Sequence, residues 1–147
     1  MENIERNKLH SLGYLSGKVH SLMKKTLTQY LEQAGIPLKV AYYPVISNLW
    51  AQDEVTQQTI AEWMGYDRHR VSRIVDDLEE VGLVERKPQP NNLRAKAVCL
   101  TTLGKKIQAP VNQAIRQATE QAFTNITEDE RTLCVTLLQK IITNLNR

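Results

Sequence analysis

Residues 60–104 constrain the fold more than any other part of the chain. Two helical patterns, separated by a glycine, precede a turn-rich segment held between two short apolar runs. The first pattern is brief. Thr56 is placed to cap it, Ile60, Ala61 and Met64 recur at spacings of one and four, and Gly65 stops it. Glycine suits the position just past a helix end because it takes a left-handed conformation without strain. Asp67 is the next cap candidate, and its carboxylate suits the positive end of a helix. From about Arg68 to Val81, the residues Val71, Ile74, Val75, Leu78 and Val81 follow i, i+3, i+4, i+7, the pattern of one buried face. At roughly 100° per residue, His69, Ser72, Arg73 and Asp76 point the opposite way, flanked by Arg68 and Arg70.

The charge order on this second helix is unusual. Arg68, His69, Arg70 and Arg73 fill its first half, and Asp76, Asp77, Glu79 and Glu80 its second. That order works against the helix dipole by about 0.3–1 kcal/mol per charge. It suits a helix that enters a DNA major groove N-terminus first, with donors leading and carboxylates trailing. Gly82 ends the helix. Leu83–Arg86 reads as a strand and Ala95–Leu100 as its partner, while 87–94 carries two prolines and two asparagines and reads as the loop between them. Arg86, Lys87, Arg94 and Lys96 set four cations against the single nearby acid Glu85. The segment reads as a helix-turn-helix followed by a two-stranded basic wing. Arg94, near the tip, is placed for a minor groove or a phosphate.

These residues resemble the winged-helix core of the MarR/SlyA family of bacterial transcription regulators. The resemblance rests on Ile60-Ala61, Met64-Gly65, Asp67, Val71-Ser72-Arg73, Leu78, Gly82-Leu83-Val84, and Leu100-Thr101 with Gly104. In the wing, where members commonly carry Asp-Arg-Arg, this chain has Asn92-Leu93-Arg94, so only Arg94 carries over as a wing-tip residue. The resemblance implies a dimer whose terminal helices intertwine and whose two winged helices read a pseudo-palindrome. It also implies a pocket for a small aromatic or organic-anion effector between the dimer helices and the DNA-binding lobe. His10, Tyr14, Tyr42 and Tyr43 are the candidates for lining that pocket, with ordinary helix packing as the competing reading.

The rest of the chain reads as helices. Residues from Ile4 to about Ala34 form one long apolar repeat, with a break expected near Gly13 or Gly17, and Gly35-Ile36-Pro37 ends it. Leu38 to about Gln52 is the next helix, where Pro44 predicts a later start or a kink. Val55 is placed to pair briefly with the wing. Thr101 caps a helix through Phe123 that Pro110 is expected to bend, and Thr127-Glu128-Asp129-Glu130 is a capping box for the last helix. A wing core of about 50 residues does not need three long apolar helices, and a large apolar dimer interface is the simplest use for the surplus.

The expected class is therefore mainly α with a small antiparallel β-wing, a winged helix-turn-helix core flanked by dimerisation helices. One structural domain divides into an N-terminal dimerisation helix over 1–36, the DNA-binding lobe over 37–104 and C-terminal dimerisation helices over 105–147. The 147 residues suit a single domain, and a formal net charge of +3 alone argues little. No apolar run is long enough to span a membrane. The first residues lack the apolar core of a signal peptide, and Cys99 and Cys134 lie far apart, so a reduced, cytoplasmic setting is expected. Cys99 is expected to face outward on its strand, and Cys134 to fill the apolar seam of the last helix. His10 and His20 are ten residues apart, which is no helix-face ligand spacing, and neither metal nor cofactor is expected.

The expected function is that of a dimeric, sequence-specific DNA-binding transcription regulator, a repressor relieved by a small molecule. The recognition helix, 67–82, is assigned to the major groove and the wing, 86–96, to the minor groove or backbone. His69, Ser72 and Arg73 are expected to face bases, with Arg68 and Arg70 joining them or taking phosphates. Thr56, Gln57 and Gln58, with Arg86, Lys87, Arg94 and Lys96, are assigned to the backbone. An enzyme is disfavoured, because no nucleophile elbow, phosphate loop, metalloprotease motif or zinc-spaced cysteine pair is present. The alternative is a winged-helix protein-interaction module, or an antagonist of another regulator, with no operator of its own.

Overall fold

The computed structural model describes residues 10–147, and at 92–94 the backbone only. Helix α1 spans Leu12–Gln33, with the Ser11 hydroxyl accepting from the Tyr14 amide at its start. Residues 1–9, where the first helix was expected to begin, lie outside the described residues. Gly13 and Gly17 do not interrupt α1. Its end is closed by Gly35 at φ 69°, which lets the Ile36 amide turn back onto the Leu31 carbonyl.

The segment expected as one helix from Leu38 divides into a 3-10 turn, Val40–Tyr42, and helix α2, Tyr43–Ala51. Pro44 explains the division. It falls in the first turn of α2, where its missing N–H leaves no bond unmade. Strand β1 is Val55–Thr56, followed by α3, Gln57–Met64, and α4, Arg68–Glu80. Gly65 takes φ 63° between the two helices, as a left-handed cap requires.

Strands β2, Val84–Gln89, and β3, Asn92–Leu100, complete an antiparallel sheet in the order β1-β3-β2. Val55 pairs with Val98, and Arg86 lies opposite Val98 on the other side of β3. The wing is longer than its turn-forming residues suggested. Pairing continues through Pro88 opposite Lys96, with a register shift between Pro88 and Gln89, and only Pro90 and Asn91 remain between the strands. Proline is admitted there because β2 is an edge strand and β-bulges form at such edges.

Cys99, expected to face outward, is buried, although it lies outside the core cluster that takes its neighbours Val98 and Leu100. Burial, aided by the nearby carboxylates of Glu54 and Asp53, pushes its thiol pKa up, which disfavours a reactive thiolate.

Helix α5, Thr102–Lys106, is capped by the Thr101 hydroxyl, and α6, Gln108–Ala122, restarts after Ile107. The break thus precedes Pro110, which sits harmlessly in the first turn of α6. Helix α7, Glu128–Leu145, starts with the complete Thr127–Glu130 capping box. The core joins Ile46 and Leu49 of α2, Ile60 of α3, Val71, Val75 and Leu78 of α4, and Leu83, Val84 and Val98 of the wing root. Leu31 of α1 and Val111 of α6 extend it towards the flanking helices.

At the wing root, Gly104 approaches so closely that a Cβ there would lie 2.1 Å from the Leu83 carbonyl oxygen. Its own carbonyl accepts from the Trp50 indole at 2.9 Å. Helix α7 contrasts with this packing: none of its residues is buried. Cys134 is accordingly exposed on it rather than filling a core within the chain.

Candidate nucleic-acid interface

The helix-turn-helix presents its polar groups through two caps. The Thr56 hydroxyl accepts from the Thr59 amide at 3.1 Å and starts α3. The Asp67 carboxylate accepts from the Arg70 amide at 2.8 Å and starts α4. That backbone bond holds the Asp67 carboxyl below its ordinary pKa, so the cap is ionised at neutral pH. Val71, Ile74, Val75 and Leu78 bury one side of α4, leaving Arg68, His69, Arg70 and Arg73 exposed and Ser72 half-buried.

Between the start of α3, the first half of α4 and the wing lies a groove of about 550 Å³. Thr56, Gln57, Gln58, Arg68, His69, Ser72, Arg86 and Lys96 line it, together with Ala95. Eight residues assigned to DNA from sequence therefore converge on one concave surface. Arg68 is tethered there by Nε donating to Gln58 Oε1 at 3.2 Å. Arg70 lies over the Tyr66 ring, 3.5 Å from its centroid, which fixes the direction of its guanidinium. Lys96 is exposed, whereas Lys87 pairs with Glu85 at 3.1 Å in an open ion pair of the kind that contributes little. The side chain of Arg94 lies outside the described residues.

Arg86 is not the open cation its sequence context suggested. Its side chain is only 18% exposed. Nη2 reaches Asp76 at 2.7 Å and the Ser72 carbonyl at 3.3 Å, Nη1 reaches Glu79 at 3.2 Å, and Nε donates to Gln57 at 2.8 Å. One guanidinium thereby ties the wing to both helices of the motif. Glu85 is its sequence neighbour, but the carboxylates that engage it come from α4.

The four aromatic and histidine candidates for an effector pocket have separate surroundings. His10 is exposed, as is Tyr14 at the start of α1. Tyr43 packs edge-on against Trp50, with centroids 6.2 Å apart. Tyr42 donates its hydroxyl to Asp77 of α4, and that bond, with some burial, raises the phenol pKa.

A sequence profile described as the MarR family matches residues 36–95, the span that builds this groove. The multiple antibiotic resistance protein MarR of Escherichia coli K12 is 29% identical over 137 residues, covering 92% of this chain and 94% of that protein. Over residues 36–95 the chain matches the MarR family, and nearly its whole length aligns with a MarR protein. That similarity supports a DNA-binding transcription regulator with a winged helix. A mutant MarR from E. coli complexed with operator DNA superposes with a TM-score of 0.76 at 27% identity, over 92% of this chain and 96% of that one. CouR from Rhodococcus jostii RHA1 bound to p-coumaroyl-CoA gives 0.70 at 26% identity, over 91% and 93%. Among the described residues, no helix is long and apolar enough to cross a membrane.

Some residues at this MarR-like site escaped sequence reasoning. Tyr66 precedes Arg70 by four residues, a spacing at which a cation–π contact beside a helix start is foreseeable. Asp76 and Glu79 as partners of Arg86 were not foreseeable, because the strand that brings Arg86 to them is set by tertiary packing. The same holds for the Tyr42–Asp77 bond, made across 35 residues.

Proposed function

We propose that this regulator is a homodimer that binds a pseudo-palindromic operator, represses transcription there, and is released by a small aromatic or organic-anion effector. The observation that carries the DNA reading is the groove, where the leading half of α4, the capped start of α3 and the wing present donors to one duplex. His69, Ser72 and Arg73 read bases in this scheme, with Arg68 and Arg70 joining them or taking phosphates. A forked arginine on guanine contributes about 1–3 kcal/mol of discrimination. Thr56, Gln57 and Gln58, with Lys87, Lys96 and Arg94, hold the backbone, and Arg86 braces the wing against α4.

The dimer reading is supported by apolar surface left without a partner. Leu12, Leu15, Val19 and Leu22 on α1 and Leu133, Leu137, Leu138 and Ile142 on α7 are each at least 44% exposed. Two-fold pairing of those helices would set two α4 helices about one DNA turn, or 34 Å, apart. The effector class is supported by CouR, which was solved with the aromatic thioester p-coumaroyl-CoA. Any effector must bind one separation of the two lobes better than the other, since only differential affinity shifts that equilibrium.

The experiment compares binding to the DNA upstream of the protein's own gene with binding to random DNA of equal length, across a salt series. The expected result is tight binding to the upstream fragment, two chains per site and a steep salt slope. Equal, weak binding to both fragments, and to duplexes selected from a random library, would instead favour a module that contacts protein.

A further inference from the structure

The Asp77 carboxylate has two claimants. Arg73 precedes it by four residues on α4, the spacing at which charges on one helix meet. Tyr42 arrives from the 3-10 turn between α1 and α2 and donates its phenol O–H to Asp77 Oδ2. Tyr42 holds the carboxylate. Arg73 makes no ion pair among the described residues and is exposed, although its positive charge is near enough to act on the Tyr42 hydroxyl. Tyr42 is itself half-buried, with Lys39 stationed 5.6 Å from its ring centroid. The two claimants are chemically unequal. A guanidinium paired with Asp77 would be drawn along the helix, whereas a phenol on Oδ2 engages the carboxylate and leaves the arginine exposed.

We propose that Tyr42 is a specificity-determining positioning residue, which occupies the Asp77 carboxylate and so keeps Arg73 out of the helix's own ion pair and free to reach a base. This rests on the reading of Arg73 as a base contact. It assigns to a residue outside the recognition helix a role in what that helix reads. It also gives Asp77, in the acidic half of α4, a partner that does not compete with DNA.

The test uses the full-length protein and a duplex selected by the wild type from a random-sequence library, with every base pair of one half-site then varied singly. Tyr42→Phe removes one oxygen and keeps the ring. Its expected effect is a loss of about twofold per half-site, the strength of an exposed i,i+4 pair, or about fourfold for two half-sites. It should also flatten preference at the same base pair that Arg73→Ala flattens. Adding Asp77→Asn to Tyr42→Phe removes the competing charge and should restore both affinity and preference, which repair of mere packing would not do. Asp77→Asn alone should bind at least as well as the wild type.

If Arg73→Ala flattens a position and Tyr42→Phe leaves the profile at wild type, the proposal is wrong while the base assignment stands. A Tyr42→Phe defect that Asp77→Asn fails to rescue makes Tyr42 a structural residue and also overturns the proposal. If Arg73→Ala leaves the profile intact, the base assignment itself fails, and this inference fails with it.

Discussion

A single guanidinium at position 86 does two things that pull in different directions. It is a positive charge at the groove proposed to face DNA, and it is the strut that joins the wing to α3 and α4. The two roles separate experimentally. Replacing Arg86 with Gln leaves Asp76 and Glu79 without their cation, at a cost of about 1–2 kcal/mol once the exposure of both acids is discounted. Operator affinity should fall with little change in salt slope. Lys96→Ala should instead weaken binding to all sequences and lower the slope by about one per half-site, or about two for a dimer. A slope change of that size for Arg86→Gln would return Arg86 to the phosphate contacts. Tyr42 supplies a pH test at the same scale. Its phenol pKa is raised on folding by the bond to Asp77, so its stabilisation is complete below the ordinary tyrosine value of about 10. That stabilisation is lost as the pH rises from there towards the folded-state value. Stability measured by denaturant unfolding on the alkaline side should therefore decline less steeply for Tyr42→Phe than for the wild type.

Among the elements, those set by local chemistry were readable in the chain. Thr56, Asp67, Thr101 and Thr127 are all side-chain caps in the structure, and Gly65 and Gly35 take the left-handed conformations expected at helix ends. Elements whose limits depend on neighbours were misjudged. Proline and asparagine between 87 and 94 argue for a loop, but β3 extends the hairpin because an edge strand tolerates Pro88. Cys99 follows an alternation that suggests one open face, yet its side chain is buried. Within the candidate site, the groove-lining residues of the helix-turn-helix were legible because they lie on one capped helix and its neighbour. The Arg86 and Tyr42 partners were not, because each contact depends on how separate segments dock. The sharpest test of an element belongs to α5, which crosses the wing root at Gly104. Gly104→Ala would place a carbon 2.1 Å from the Leu83 carbonyl oxygen, a backbone atom that cannot swing aside, with Leu100 Cδ2 only 3.3 Å away. A loss of about 3 kcal/mol or more is expected in denaturant unfolding, with the Trp50 indole bond to the Gly104 carbonyl disturbed.

For the whole molecule, the decisive feature is uneven burial. The winged lobe has a closed core, and α1 joins it through Leu27, Tyr30 and Leu31 near its end. The opposite end of α1 and nearly all of α7 keep large aliphatic residues exposed. Placing a charge in that surface, as in Leu137→Glu, should leave the lobe folded but lower the mass in sedimentation from two chains to one. The melting temperature of the wild type should rise with protein concentration, as linkage requires of a dimer, and that of the variant should not. The flanking helices were legible as surplus apolar surface. Their relation to a second chain was not, since one chain's sequence records a face and not what covers it.

Because the lobe closes its core within its own chain while the proposed pairing surface lies elsewhere, a defect in reading DNA need not be a defect in assembly. A copy carrying a lesion confined to α4 would still associate with an intact copy. If two such alleles were expressed equally and paired at random, only about a quarter of the dimers would hold two competent lobes. Such a lesion is expected to be genetically dominant, whereas a lesion that prevents pairing is expected to be recessive.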